Sequence, residues 1–283
     1  MLVYLILTPV ILMLVISFLG FWQATHPPKI ISRVSPKDLG WQFEEITLKT
    51  SDSVKLSTWF VLSDDKSSNK AVILLHGYPA DKGDLLDWSA FLKEKYHLLF
   101  IDFRYFGRSE GAYTTLGVNE TKDVLAAIKF LKENKKIESI GLMGFSFGGS
   151  VGLLTLPHTQ DVKASVADSA FANLDLMGEV YYGHLPYLQK PLMSLTKFWA
   201  KLIYNLDAKD AAPDRILANL LTPILIIASP ADDVVSIKNS QRFKEVLKNN
   251  KNSQVVILDR GPHGYLSGTN YQKLIEEFFE KYL

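Results

Sequence analysis

The segment at residues 140–150 constrains the fold of this chain more than any other. It reads IGLMGFSFGGS, an apolar run followed by a glycine-rich turn and the start of a second apolar run. Within it, Ser146 stands between Gly144 and Gly148 in the pattern G-x-S-x-G. Between a strand and a helix, this pattern is typical of a nucleophile elbow, in which a strained turn holds the serine hydroxyl above a sheet. We therefore interpret Ser146 as a candidate nucleophile, and a glycine-rich turn with a surface serine is the alternative.

Strand-like and helix-like segments alternate after residue 70. The predicted strands, each an apolar run, cover 71–75, 97–101, 140–143, 163–167, 223–228 and 254–258. The predicted helices cover 84–95, 120–132, 236–248 and 267–282. A hairpin is predicted before them, over 43–49 and 54–62. Strands joined by helices favour a mostly parallel central sheet with helices on both faces, so we expect an α/β fold with one large domain over 41–283.

Residues 170–221 contain no strand pattern and are rich in bulky side chains, including Tyr181, Met193 and Trp199. The segment predicts a small helical cap that shapes an apolar pocket over the sheet. Ordinary packing of helices onto the sheet would use the same residues, and the sequence leaves both interpretations open.

The N-terminal segment 2–22 is almost entirely apolar and reads LVYLILTPVILMLVISFLGFW. A helix of this length spans a hydrocarbon core of about 30 Å, so we interpret 1–22 as a single transmembrane anchor and the proline-containing 23–40 as a linker. A cleaved signal peptide is the alternative, but no Lys or Arg precedes the apolar run. Because basic residues follow the run at positions 29, 33 and 37, we expect the N-terminus outside and the catalytic domain in the cytoplasm.

Charge and composition exclude several classes of function. A net charge of +1 gives no argument for a nucleic-acid partner, and the absence of cysteine excludes disulfides, a thiolate nucleophile and cysteine-ligated metals. The six histidines include no close-spaced metal-binding pair. The sequence thus predicts no nucleic-acid partner and no metal site, and it does not indicate the oligomeric state.

A serine is a weak nucleophile unless a neighbouring base removes its proton, and a carboxylate orients that base. His263 lies in the sequence GPHG on a loop after the last predicted strand, where open α/β sheets carry their sites. Asp232 and Asp233 follow the strand before it, and Asp168 follows an earlier strand. His263 is the candidate base, Asp232 or Asp233 is the candidate acid, and Asp168 is expected to be structural.

Two N–H groups are needed to stabilise an oxyanion at Ser146. The N–H of Phe147 follows the nucleophile, at the start of a helix whose first N–H groups are free. The second donor is expected in the loop after the first parallel strand, where Gly77 permits a close approach and we select the N–H of Tyr78. We interpret His76, at the start of this loop, as a residue that braces it.

These motifs together resemble the α/β-hydrolase superfamily of serine hydrolases, in particular the serine aminopeptidase and monoacylglycerol lipase group and the membrane-anchored Bem46-like hydrolases. The resemblance covers about residues 41–283. It rests on HGYP (76–79), DFRYFGRSEG (102–111), GFSFGG (144–149), Asp168-Ser169, the segment 229–235 and GPHG (261–264). In this group the acid stands in the pattern H-G-x-x-D-x-x-V-P. Asp232 keeps that spacing from Val235, so the resemblance favours Asp232 over Asp233.

Three positions depart from this pattern, because Ala228 and Ser229 replace the His-Gly pair and Ser236 replaces the proline. The resemblance implies acyl transfer to water, in which His263 removes the proton of Ser146 as it attacks an ester-like carbonyl, without a cofactor. The implied substrate is a small, apolar ester. A peptidase, a thioesterase, an acyltransferase and a non-catalytic binding protein on the same fold are the alternatives.

Overall fold

The computed structural model describes residues 2–258, 261–265 and 268–283. The strands within these ranges are β1 (Phe43–Lys49), β2 (Lys55–Val61), β3 (Lys70–Leu75), β4 (His97–Ile101), β5 (Ser139–Phe145), β6 (Val162–Asp168), β7 (Ile224–Ala228) and β8 (Gln254–Ile257). The α-helices are α1 (Leu2–Thr25), α2 (Leu86–Ser89), α3 (Glu120–Glu133), α4 (Phe147–Thr155), α5 (Leu174–Tyr181), α6 (Gln189–Tyr204), α7 (Lys238–Val246) and α8 (Thr269–Tyr282). Residue 267, where the last predicted helix begins, lies outside the described ranges.

All these strands belong to one sheet with the order β1-β2-β4-β3-β5-β6-β7-β8. β1 and β2 form an antiparallel hairpin and β2 pairs antiparallel with β4, whereas every pair from β4 onward to β8 is parallel. Parallel neighbours need long crossover connections, and helices supply most of them. The expected α/β fold with a mostly parallel sheet is therefore confirmed.

The core lies on both faces of this sheet. Along β3, Ile73 and Leu75 point to one face while Val72 and Leu74 point to the other, and all are fully buried. The first face is covered by α3, α4 and α7, and the second by α8 and the segment between β3 and β4. A sheet buried on both faces is a rigid support for residues at its carboxyl edge.

The helical segment predicted over 84–95 is divided into three short helices in the structure. The chain forms a 3₁₀ turn (Lys82–Leu85), the short helix α2 and a second 3₁₀ turn (Ala90–Glu94). Ser89 explains the break. Its hydroxyl donates to the carbonyl oxygen of Leu85 at 2.7 Å, and its φ and ψ of −107° and 2° leave the helical region.

We call α5, α6 and the residues between them the cap, which connects β6 to β7. The C-terminal half of α1 packs on the cap with one face, where Ser17, Phe21 and Thr25 are buried. Ser17 Oγ accepts a hydrogen bond from Trp199 Nε1 of α6 at 3.1 Å. By length and composition, the stretch Leu7–Thr25 is able to cross a membrane.

Candidate active site

The turn between β5 and α4 holds Ser146 in a strained conformation. Its φ and ψ are 52° and −115°, a combination that residues other than glycine rarely adopt. A Cβ atom at Gly144 would stand 2.4 Å from the carbonyl carbon of Gly148, and one at Gly148 would stand 2.2 Å from the carbonyl oxygen of Leu75. The G-x-S-x-G pattern thus reflects close backbone packing, which presents the Ser146 hydroxyl at the carboxyl end of β5.

His263 lies beside that hydroxyl, on the loop after β8. Its Nε2 is 3.0 Å from Ser146 Oγ, and its Nδ1 is 2.8 Å from Asp232 Oδ2. When Nδ1–H donates to the carboxylate, Nε2 is left free to accept the serine proton. The imidazole also packs on the ring of Phe145, with 4.9 Å between centroids. The structure therefore brings the three residues predicted from sequence into one hydrogen-bonded chain.

Hydrogen bonds hold Asp232 through both carboxylate oxygens. Oδ1 accepts from the backbone N–H groups of Val234 and Val235 at 3.0 and 2.7 Å. Oδ2 accepts from the Ser169 hydroxyl at 3.0 Å, in addition to His263. Burial raises the pKa of this carboxyl, but the bonds to its charged form, above all the bond from His263, outweigh burial and lower the pKa below its usual value. Asp232 therefore stays ionised beside the imidazole.

Ser169 belongs to one of the motifs that carry the resemblance, but the sequence assigns it no role, and the structure shows its hydroxyl in contact with Asp232. Ser169 directly follows β6 and has a φ of 51°. Its N–H donates to the carbonyl oxygen of Ile227 in β7 at 2.8 Å. Its position could have indicated this contact, because Ser169 directly follows β6, the strand next to β7, at the edge where α/β sheets carry their sites.

The other acidic candidates have different surroundings. Asp233 Oδ1 accepts from the backbone N–H of His263 at 3.1 Å, so it holds the loop rather than the ring. Asp168 is fully buried, and its Oδ2 accepts from the hydroxyl of Tyr271 in α8 at 2.7 Å. The carbonyl oxygen of Asp168 also accepts from the N–H of Ser146 at 2.7 Å, which ties the elbow to β6.

The two predicted oxyanion donors lie near the serine. Phe147 is the first residue of α4, and the first N–H groups of a helix have no acceptor within it. The loop that carries Tyr78 passes close by, since a Cβ atom at Gly77 would stand 3.7 Å from Ser146 Cβ. The rings of Tyr78 and Phe147 pack with 6.3 Å between centroids, and both residues line a cavity together with Ser146.

His76 is fully buried behind this loop. Its Nδ1 donates to the carbonyl oxygen of Gly77 at 2.7 Å, and its Nε2 accepts from the N–H of Phe103 at 3.1 Å. A ring that donates from one nitrogen and accepts at the other is neutral. Burial lowers its pKa, although the carboxylate of Asp102 acts in the opposite direction. His76 joins the loop after β3 to the loop after β4 and so braces the oxyanion region.

A mostly apolar cavity of about 350 Å³ opens at Ser146. Its lining comes from the elbow, the cap and α1, and includes Tyr78, Phe147, Leu174, Met177, Tyr181, Met193, Gly20, Phe21 and Ala24. The volume is in the range of sites for small organic ligands. In the part of the chain that the structure describes, no group of three or more His, Asp or Glu side chains could hold a metal ion.

The sequence model of the prolyl oligopeptidase family matches residues 108–283, a range that contains Ser146, Asp232 and His263. The chain belongs to the prolyl oligopeptidase family. Its membership and its fold make it a serine hydrolase of the α/β-hydrolase superfamily. The narrower expectation of a Bem46-like branch stays a prediction.

Proteins similar to this family member include esterases and peptidases. The solved structure of the Pyrococcus furiosus esterase Pf2001 matches with a TM-score of 0.76 at 30% identity, over 92% of this chain and 98% of that one. The Arabidopsis thaliana α/β hydrolase domain-containing protein WAV2 is 25% identical over 259 residues, which are 88% of this chain and 82% of that protein. The acylaminoacyl peptidase of Pyrococcus horikoshii shares the fold, with a TM-score of 0.65 at 21% identity over 86% of this chain and 42% of that one.

Proposed function

We propose that this serine hydrolase cleaves carboxylic esters through an acyl-enzyme formed on Ser146. The observation that carries the proposal is the pair of contacts at His263: 3.0 Å from Nε2 to Ser146 Oγ and 2.8 Å from Nδ1 to Asp232 Oδ2. Both are hydrogen-bond distances, as a general base needs toward its nucleophile and its orienting acid.

In the acylation step, Ser146 Oγ attacks the carbonyl carbon of the ester while His263 Nε2 takes its proton. The oxyanion of the tetrahedral intermediate accepts hydrogen bonds from the N–H groups of Phe147 and Tyr78. The imidazolium then gives its proton to the leaving alcohol. A water molecule, deprotonated by His263, attacks the acyl-enzyme and releases the acid, and Asp232 stabilises the imidazolium in both steps.

An ester is favoured over a peptide as the substrate. The esterase of Pyrococcus furiosus is 30% identical over most of both chains, whereas the acylaminoacyl peptidase has the fold in common at 21% identity. The mostly apolar cavity of about 350 Å³ beside Ser146 suits an uncharged acyl group. Peptide or thioester hydrolysis and acyl transfer to another acceptor would use the same steps, and ligand binding without catalysis is the alternative outside enzymes.

A fluorophosphonate probe tests the nucleophile directly. The full-length protein in detergent should be labelled at Ser146, and Ser146→Ala should lose the label together with hydrolysis of an aryl acetate, by a factor on the order of 10⁶. Ser194→Ala, at an exposed serine of α6, is the matched control and should keep both. A folded Ser146→Ala variant with full turnover would contradict the proposal, and a panel of matched ester, thioester and amide substrates separates the enzymatic alternatives.

We also propose that α1 anchors the enzyme as a single-pass membrane protein with the catalytic domain in the cytoplasm. The length and composition of the stretch Leu7–Thr25 support the anchor, and the basic residues that follow α1 support the orientation. Cell fractionation and protease treatment of intact cells test both parts. Recovery of the full-length chain in the soluble fraction would contradict the anchor, and digestion of the catalytic domain from outside would contradict the orientation.

A further inference from the structure

The last two turns of α1 are bonded to residues at the active-site cavity. The Tyr78 hydroxyl donates to the carbonyl oxygens of Gln23 and Ala24, at 3.0 and 3.1 Å. From the cap, the Tyr181 hydroxyl donates to Gln23 Oε1 at 2.8 Å. Tyr78 is the same residue whose N–H is proposed to hold the oxyanion. A helix that served as a tether alone would need none of these bonds.

The contact between α1 and the cap is also close. A Cβ atom at Gly20 would stand 2.3 Å from the hydroxyl of Tyr182, so glycine permits the approach of the two segments. The rings of Phe21 and Tyr204 pack with 5.4 Å between centroids. These contacts fix the end of α1 as one wall of the cavity. Gly20, Phe21 and Ala24 of this wall line the same cavity as Ser146.

We propose that the last two turns of α1 are part of the substrate site and that the cavity they close binds a linear aliphatic acyl chain. The inference rests on the proposed function and adds the substrate class. A volume of about 350 Å³ holds on the order of ten water-sized groups at about 30 Å³ each, and a methylene group is of similar size. Each methylene that leaves water for such a cavity contributes about 0.8 kcal/mol.

The packing of α1 indicates the source of that chain. The stretch Leu7–Thr25, which is long and apolar enough to cross a membrane, includes the buried face of α1 at Ser17, Phe21 and Thr25. An α1 that spans the bilayer therefore carries residues 17–25 and the attached α6 into the membrane. α6 exposes Phe198, Leu202 and Ile203, the apolar side chains that such a position requires. The ester chain thus reaches the cavity from the bilayer.

The proposal also decides between an anchor and a cleaved signal peptide. Cleavage after α1 would remove Gly20, Phe21 and Ala24 and leave the cavity without a wall. We therefore expect the protein isolated from native membranes to retain α1, as measured by its intact mass. A mature chain that begins after Thr25 and still hydrolyses long-chain esters at the full rate would overturn the proposal.

Two substitutions test the wall in the full-length enzyme. Ala24→Phe fills the cavity from α1 and should lower kcat/KM for an aryl laurate at least about tenfold more than it lowers kcat/KM for an aryl acetate. Leu19→Phe is the matched control, because Leu19 is 57% exposed and does not line the cavity, and it should leave both esters unchanged. Met193→Ala enlarges the cavity from the cap and should shift the preference toward longer chains. Equal effects of Ala24→Phe on both esters, or none on either, would overturn the proposal.

A binding measurement separates this proposal from the proposed function. A fluorescent long-chain fatty acid should bind the wild type and Ser146→Ala alike, and Ala24→Phe should weaken its binding. If this pattern holds while no ester is hydrolysed, the proposed function fails and the chain site stands. If esters are hydrolysed but Ala24→Phe alters neither binding nor chain preference, the chain site fails and the esterase stands.

Vesicles test the source of the substrate. The enzyme is reconstituted in phosphatidylcholine vesicles, and a long-chain ester that does not exchange between vesicles is placed in the same vesicles or in separate ones. If the ester enters the cavity from the bilayer that holds the enzyme, it should be hydrolysed when both are in the same vesicles. Little hydrolysis is expected when the enzyme and the ester are in separate vesicles. Equal turnover in both arrangements would show delivery through water and overturn the membrane source.

Discussion

The elbow around Ser146 and the cap above it differ in how firmly the rest of the molecule holds them. Every residue of α4 is buried, whereas within the described chain α5 buries no residue and α6 buries Leu192 alone. The elbow is fixed by backbone contacts that leave no room for a Cβ atom at Gly144 or Gly148. The cap is held through side chains on one face of each helix.

This difference assigns different tasks to the two regions. The sheet and the elbow hold the reacting atoms in a single geometry, which catalysis requires. The cap helices α5 and α6 have few buried residues, and segments of that kind open locally at a lower free energy than the core does. We infer that the sheet determines the chemistry, while the cap and α1 determine which substrates reach it.

Substitution of the acid gives the largest expected difference between neighbouring positions. Asp232→Asn keeps the shape of the side chain but cannot orient the His263 tautomer that accepts the serine proton, so kcat for an aryl ester should fall about 10⁴-fold, or about 5.5 kcal/mol. Asp233→Asn is the matched control and should change kcat by less than about tenfold, because Asp233 holds the backbone N–H of His263. The reverse ranking would show that Asp233 is the acid.

Much of the elbow and of the sheet could be predicted from sequence because their signals are local. Gly144, Ser146 and Gly148 form a pattern whose backbone requirement is the same wherever it occurs, and apolar runs mark each parallel strand. Asp232 and His263 follow strands at the same edge, so the topology alone brings them near the serine.

The contacts that could not be predicted depend on tertiary packing. Nothing local indicates that the Ser169 hydroxyl meets Asp232 or that the Tyr78 hydroxyl reaches the end of α1. α1 has no polar face, so its sequence predicts a membrane span but does not show which side contacts the cap. The break at Ser89 has the same origin, since a side-chain bond to Leu85 overrides a helical pattern.

Truncation of one leucine in each region measures how much the sheet and the cap each contribute to stability. Leu99→Ala in β4 removes a fully buried side chain and should lower the free energy of unfolding by about 2–5 kcal/mol. Leu202→Ala in α6 removes a side chain that is 62% exposed and should change it by less than about 0.5 kcal/mol. Urea unfolding in detergent, followed by tryptophan fluorescence, measures both. A large loss in Leu202→Ala would mean that the cap is part of the cooperative core.

A dependence of stability on pH is expected to arise at His76, on the sheet side of the site. Burial lowers the pKa of His76 in the folded protein, so the unfolded chain, with a pKa near the usual value of about 6.5, takes up the proton first as the pH falls. The contribution of His76 to stability is therefore complete above about pH 6.5. It is lost toward lower pH, by up to about 1.4 kcal/mol per pH unit.

His76→Gln removes this titrating group and should flatten the dependence of the unfolding free energy on pH between about 5 and 6.5. It should also destabilise the fold at neutral pH by about 1–3 kcal/mol, because the buried partners of the ring at Gly77 and Phe103 lose their hydrogen bonds. His158→Gln, at an exposed histidine, is the matched control and should keep the slope of the wild type. A His76→Gln variant that keeps the slope of the wild type would show that another group causes the pH dependence. A variant that loses no stability at neutral pH would show that His76 does not brace the loop that carries Tyr78.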